Sequence, residues 1–226
     1  MEKNKETLNG NWKLPETEPV INAYFAASAM YHNLPDHIRY MDGMSGRKYR
    51  YFINNLISNI KDPRYLEIGS WKGSTACSAM WGNSCKALCI DNWAEFGGPK
   101  NEFQQNINHT LTKNIDFRFI EKNYREIDYS NVGKFNVYLF DGPHKEQDQY
   151  DGIIIAQPAL DDTYILIVDD WNWNPVRKGT MDALNKLKST IISSITIRTT
   201  DDESHPEIYG QYSDWHNGYF IGVIKK

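Results

Sequence analysis

From residue 62 onward, short apolar runs alternate with longer stretches whose apolar positions recur at helical spacing. The runs at 64–68, 86–91, 115–120, 135–141 and 163–169 predict strands. The stretches at 74–81, 101–113, 145–156 and 177–188 predict helices, and Pro175 suits the start of the last, where its missing N–H costs nothing. Four of the strands end in acids: Glu67, Asp91, Asp141 and the pair Asp169-Asp170. Strand–helix alternation implies right-handed crossovers and a parallel sheet covered on both faces. A row of strand-end acids then marks its carboxyl edge, where open α/β sheets bind ligands. The rhythm breaks at the end. Segments 192–199 and 218–224 read as strands joined by a polar loop, and two strands so joined are antiparallel neighbours.

Before residue 62 the pattern differs. Residues 1–19 are charged and apolar-poor and predict a flexible arm. Val20, Tyr24 and Tyr31, with Ile21, Phe25 and Ala29 beside them, predict a first helix. Tyr49, Phe52, Ile53, Leu56, Ile57 and Ile60 fall on one face of a second. The glycine-rich stretch 41–46 between them predicts a mobile loop. The organisation expected is an arm (1–19), a helical cap (20–61) and one ligand-binding domain (62–226). The fold class is α/β: a doubly wound, Rossmann-like sheet, mostly parallel with an antiparallel last strand, preceded by N-terminal helices.

Composition narrows the function. A chain of 226 residues with 40% hydrophobic content can bury one substantial core. A net charge of −4 argues against a nucleic-acid partner, which calls for a basic face. No apolar run reaches membrane-spanning length and the start is too polar for a signal peptide, so a cytoplasmic protein without membrane contact is expected. Cys77, Cys85 and Cys89 are odd in number and lack zinc spacing, which reads as buried reduced thiols.

The loop after the first acid decides the ligand. Gly69-Ser70-Trp71-Lys72-Gly73 lacks the second glycine that lets backbone approach a pyrophosphate, and no Gly-Lys-Ser/Thr phosphate cradle occurs. An NAD-type oxidoreductase is therefore the alternative rather than the first reading. Asp91 is placed to accept ribose hydroxyls, and Glu67 can face a cationic amino-acid moiety, directly or through water. A nucleoside carrying an ammonium group, S-adenosylmethionine, fits that pair. With these residues the chain resembles the class I S-adenosylmethionine-dependent methyltransferases from about Met44 to its end. Glu67-Ile68-Gly69-Ser70-Trp71-Lys72-Gly73-Ser74-Thr75 is similar to the family's first motif, Ile90-Asp91 to its ribose acid, and Lys122-Asn123-Tyr124 to the segment by the adenine. The resemblance implies a cofactor set of Glu67, Gly69, Ser70, Gly73, Ser74, Thr75, Asp91, Asn92, Trp93, Asn123, Tyr124 and Asp141.

The later acids suggest a metal. In this fold the strands ending at Asp141 and Asp169 are neighbours about 4.8 Å apart, so Asp141, Asp169 and Asp170 converge and repel unless a cation bridges them. Mg²⁺ suits oxygen ligands and would acidify a bound hydroxyl. The pattern resembles metal-dependent small-molecule O-methyltransferases, of which Phe140-Asp141-Gly142-Pro143-His144 is similar to the macrolide-sugar type, with the catechol type as comparison. His144, expected in a helix's first turn where the dipole keeps imidazole neutral, is the candidate base, with Asp141 beside it and Lys145 in reserve. Trp171 and Trp173 are the expected acceptor contacts, and Trp215 is expected to close over the site. His32, His37, His109, His205 and His216 read as surface or loop residues. The expected activity is methyl transfer to a hydroxyl of a small molecule, a sugar before a catechol, by a homodimer. A non-catalytic S-adenosylmethionine-binding module is the remaining alternative.

Overall fold

A computed structural model describes residues 4–226. Among them, eight strands form one sheet in the order β1-β7-β8-β6-β5-β2-β3-β4. They are β1 (Lys5–Gly10), β2 (Arg64–Ile68), β3 (Cys85–Asp91), β4 (Ile115–Glu121), β5 (Phe135–Phe140), β6 (Leu160–Val168), β7 (Thr190–Arg198) and β8 (Tyr219–Lys225). β2 pairs in parallel with both β3 and β5, while β8 runs antiparallel between β6 and β7. From β2 the chain builds outward to β3 and β4, then returns to lay β5 and β6 on the other side. The strand order reverses between β2 and β5, and a crevice opens at such a switch point.

The period of two sorts the strand residues onto two cores. Tyr65, Cys89, Val137, Leu139 and Ile167 face one side, packing with α1 (Glu18–Ser28), α3 (Arg47–Asn59) and α4 (Ser74–Met80). Leu66, Ile68, Ile90, Tyr138, Phe140 and Val168 face the other, against α6 (Glu146–Ile155) and α7 (Asn174–Leu187). All three cysteines are buried and free. None of the described helices is long and apolar enough to cross a membrane.

Three expectations are corrected. Lys5–Gly10 is not a loose arm: it pairs antiparallel with β7 along its full length as an edge strand. All six of its residues are exposed, so no apolar alternation announced it; residues 1–3 of the expected arm lie outside the described residues. The 41–46 loop, expected to be mobile, is tied down by hydrogen bonds. The fully buried Arg50 gathers it, donating from Nη1 to the carbonyls of Ile38, Arg39 and Met41, from Nη2 to that of Gly43, and from Nε to Ser45 Oγ. Burial without a carboxylate partner lowers the Arg50 pKa to about 10. Trp215 does not close over the site; it is fully buried, stacked with Tyr24 and edge-on to Tyr219.

Candidate active site

A cavity of about 340 Å³ opens at the carboxyl ends of β2, β3, β5 and β6, within the size range of small-molecule sites. Gly69, Asp91, Asn92, Trp93, Asn123, Tyr124, Asp141, His144, Asp169, Asp170 and Trp173 all line it. Gly69 has φ +86°, and a Cβ there would lie 1.8 Å from the Asp141 carbonyl oxygen, so the loop can cross beside β5 only as glycine. The Asp91 carboxylate shapes the same loop. Its Oδ2 accepts the backbone N–H groups of Ser70 and Trp71, both at 2.9 Å, and its Oδ1 accepts that of Trp93 at 2.7 Å. Of about four lone-pair positions on a carboxylate, one stays open to a ligand.

Other members of the expected cofactor set stand behind the wall. Glu67 is fully buried on the Tyr65 face, where the Tyr65 hydroxyl donates to Oε2 and Oε1 has no partner. Burial pushes its pKa up to about 7. Ser70, Ser74 and Thr75 are buried without lining the cavity, and Gly73, with φ +80°, precedes α4. They lie in the turn from β2 into α4 and at the start of that helix. Trp171, expected as an acceptor contact, is likewise buried, packed on Phe220, and does not line the cavity.

The metal expectation changes membership. Among the described residues, the ligand atoms of Asp141, His144 and Asp170 lie within 4.8 Å of one another, and Asp169 is outside that group. The cause is the backbone: Asp170 sits at φ +57°, and Asp169 Oδ1 accepts the Asp170 N–H at 2.7 Å, so the adjacent carboxylates diverge. Asp170 is held from two sides, by His144 Nε2 at 2.7 Å and by Asn217 Nδ2 at 2.7 Å. Burial raises the Asp170 pKa, but these two partners outweigh it and leave the group below its ordinary value. Asp141 and Asp169 are pushed well up, by burial first and then by neighbouring carboxylates.

His144 corrects a further expectation. It precedes the first turn of α6, whose N-cap is Lys145. Burial opposes its charged form, yet the hydrogen bond and charge of Asp170, with Asp141 behind, raise its pKa above the ordinary histidine value. His205 and His216, expected as surface or loop residues, both lie in loops, and both line the cavity. His216 is buried, which pushes its pKa down to about 4. Met44 and Phe96 also line the cavity, and neither was among the expected site residues. Five of the nine described non-glycine residues at left-handed φ (Trp71, Trp93, Phe96, Asp170 and His216) line the cavity. Such backbone concentrates where a site needs fixed geometry.

Comparisons with known proteins bear on the fold. Residues 66–171 match the family model of a methyltransferase domain. No curated protein matches the sequence. The fold resembles the O-methyltransferase TomG of Streptomyces achromogenes, solved with S-adenosylmethionine (TM-score 0.56, 12% identity, 92% of this chain and 90% of that one). It also resembles a putative RNA methyltransferase of Pyrococcus horikoshii (TM-score 0.53, 11% identity, 94% and 98%). A third resemblance is to TrmN of Thermus thermophilus (TM-score 0.52, 13% identity, 78% of this chain), of whose length the chain spans about half, 48%. The architecture is the Rossmann-like methyltransferase fold, and the matched stretch 66–171 runs from β2 to just beyond β6.

Proposed function

We propose that the chain moves a methyl group from S-adenosylmethionine to a hydroxyl oxygen of a small molecule, a sugar hydroxyl before a catechol. The observation that carries this reading is the His144–Asp170 pair on the cavity wall, on the β5–β6 side of the switch point from Asp91. The residues present fit the donor: the open Asp91 position suits a ribose hydroxyl, and Trp93, Asn123 and Tyr124 flank it. With Nε2–H donated to Asp170, the second ring nitrogen of His144 is the proton acceptor, oriented as a carboxylate orients a catalytic imidazole. Alignment and deprotonation of the acceptor supply most of what sulfonium-to-oxygen transfer needs.

Asp141 and Asp170 also fit a divalent cation. Mg²⁺ prefers one or two carboxylates and keeps waters for its remaining positions, which leaves the imidazole to act as base. Such an ion would neutralise the carboxylates and polarise the acceptor hydroxyl. Trp173, edge-on to both His144 and His205, offers an aromatic surface to a sugar ring.

A second reading takes the acceptor as RNA, since one structural relative is a putative RNA methyltransferase. The net charge of −4 favours the small molecule. The test is product mass after incubation with S-adenosylmethionine and Mg²⁺ against glycosides, catechols and bulk RNA in parallel. A glycoside or catechol heavier by one methylene supports the proposal; methylated RNA with unchanged small molecules overturns it.

A further inference from the structure

His144 is not the only imidazole at this site. His216 lies in the loop before β8, 7% exposed, and contributes to the cavity wall with Asp170, Met44 and His205. Its Nδ1 accepts the backbone N–H of Gly210 at 3.0 Å. A nitrogen that accepts a hydrogen bond carries no hydrogen, so in the neutral ring the hydrogen is on Nε2. No described protein group meets Nε2, which leaves an N–H donor as this ring's polar contribution to the cavity.

The ring is held by its scaffold. His216 has φ +44°, its N–H donates to Ser213 Oγ at 2.9 Å, and its carbonyl accepts the Thr199 hydroxyl at 2.8 Å. Gly210 packs on the Gly43 loop so closely that a Cβ would lie 2.9 Å from the Gly43 oxygen. That loop is the one Arg50 pins. The next residue, Asn217, holds Asp170. One loop therefore supplies both a fixed donor and a support for the His144 partner.

We propose that His216 recognises the methyl acceptor, its Nε2–H donating to an oxygen next to the hydroxyl addressed by His144 and Asp170. The inference rests on the methyl-transfer reading and adds a substrate feature to it. The acceptor carries a hydrogen-bond-accepting oxygen (carbonyl, ether or second hydroxyl) beside the one methylated. An N–H nitrogen cannot ligate a cation, so His216 stays outside the metal group, and the two histidines divide the work between proton transfer and recognition.

The test uses full-length protein with nitrogen-15-labelled histidine, saturated with S-adenosylhomocysteine at pH 7. The His216 resonances should report the Nε2–H tautomer, and catechol or a methyl glycoside should shift them. An Nδ1–H tautomer, or a doubly protonated ring, overturns the proposal. With whichever probe the wild type methylates, His216→Asn and His216→Phe should raise KM roughly three- to tenfold, the loss of one hydrogen bond. S-adenosylhomocysteine affinity should hold and kcat should change less. Asparagine tolerates the left-handed backbone if phenylalanine prevents folding. Wild-type KM in both variants refutes the role of His216 alone. A wild type that methylates no probe counts against the methyl-transfer reading and this inference with it, and the tautomer spectrum tells the two failures apart.

Discussion

Replacing Asp91 by asparagine keeps the side chain's shape and removes its charge. The carboxylate accepts three backbone N–H groups from two loops, those of Ser70, Trp71 and Trp93. The asparagine oxygen can keep the Ser70–Trp71 pair, but its NH₂ then faces the Trp93 N–H, donor against donor. The loop over the cavity loses one bond outright and the charge assistance of the others. A ribose hydroxyl on the remaining lone pair loses a charge-assisted bond of about 1.5–3 kcal/mol. At about 1.4 kcal/mol per factor of ten, donor affinity should fall by roughly 10- to 150-fold. Titration calorimetry with S-adenosylhomocysteine measures this, and a melting curve of the unliganded variant separates loop damage from the lost ligand bond. Affinity within twofold of wild type, with an intact melt, would refute the placement of ribose at Asp91.

Three other outcomes follow from the site. His144→Ala should lower turnover by about 10²–10⁴-fold, the usual range for a positioned base, while S-adenosylhomocysteine affinity measured by calorimetry stays unchanged. Because Asp170 raises the His144 pKa, the wild-type rate should fall with acidity below a point above the ordinary histidine value, and this limb should vanish in the variant; a retained limb assigns it to another group. Excess chelator should abolish turnover and Mg²⁺ restore it, with donor binding intact in calorimetry; full activity in chelator leaves Asp141 without a metal role. Glu67 titrates near 4.5 when unfolded and about 7 when folded, so stability falls as pH rises between those values and stays low above them. Glu67→Gln should remove that fall, worth on the order of 3 kcal/mol, so its gain in melting temperature should be larger at pH 8 than at pH 5; an equal gain at both would contradict the buried-charge account.

The parallel sheet was legible because its strands are buried on both faces, and their apolar runs stand out against amphipathic helices. Asp91 and Asp141 were legible as strand ends, since the end of an apolar run fixes a position along the sheet. Edge strand β1 was not, because neither of its faces is buried and pairing alone leaves no hydrophobic signature. Adjacent acids also defeat position-based reading: which of Asp169 and Asp170 meets Asp141 and His144 depends on one left-handed φ. Glu67 does not line the cavity, and a signal for that existed. The period of two puts it on the Tyr65 face, away from Ile68, which lines the cavity. His216 had no local signal, since its ring is set by a loop folding back from Gly210 and by the Gly43 turn beneath it.

The central claim is that the transferred methyl group ends on a hydroxyl oxygen. Incubating the protein with S-adenosylmethionine carrying a carbon-13 methyl group, Mg²⁺ and the glycoside and catechol panel puts the label on whatever atom accepts it. A carbon-13 resonance in the O-methyl range on a panel product is the result predicted. A labelled methyl on nitrogen or carbon, or label recovered only in RNA added to the same mixture, would contradict it.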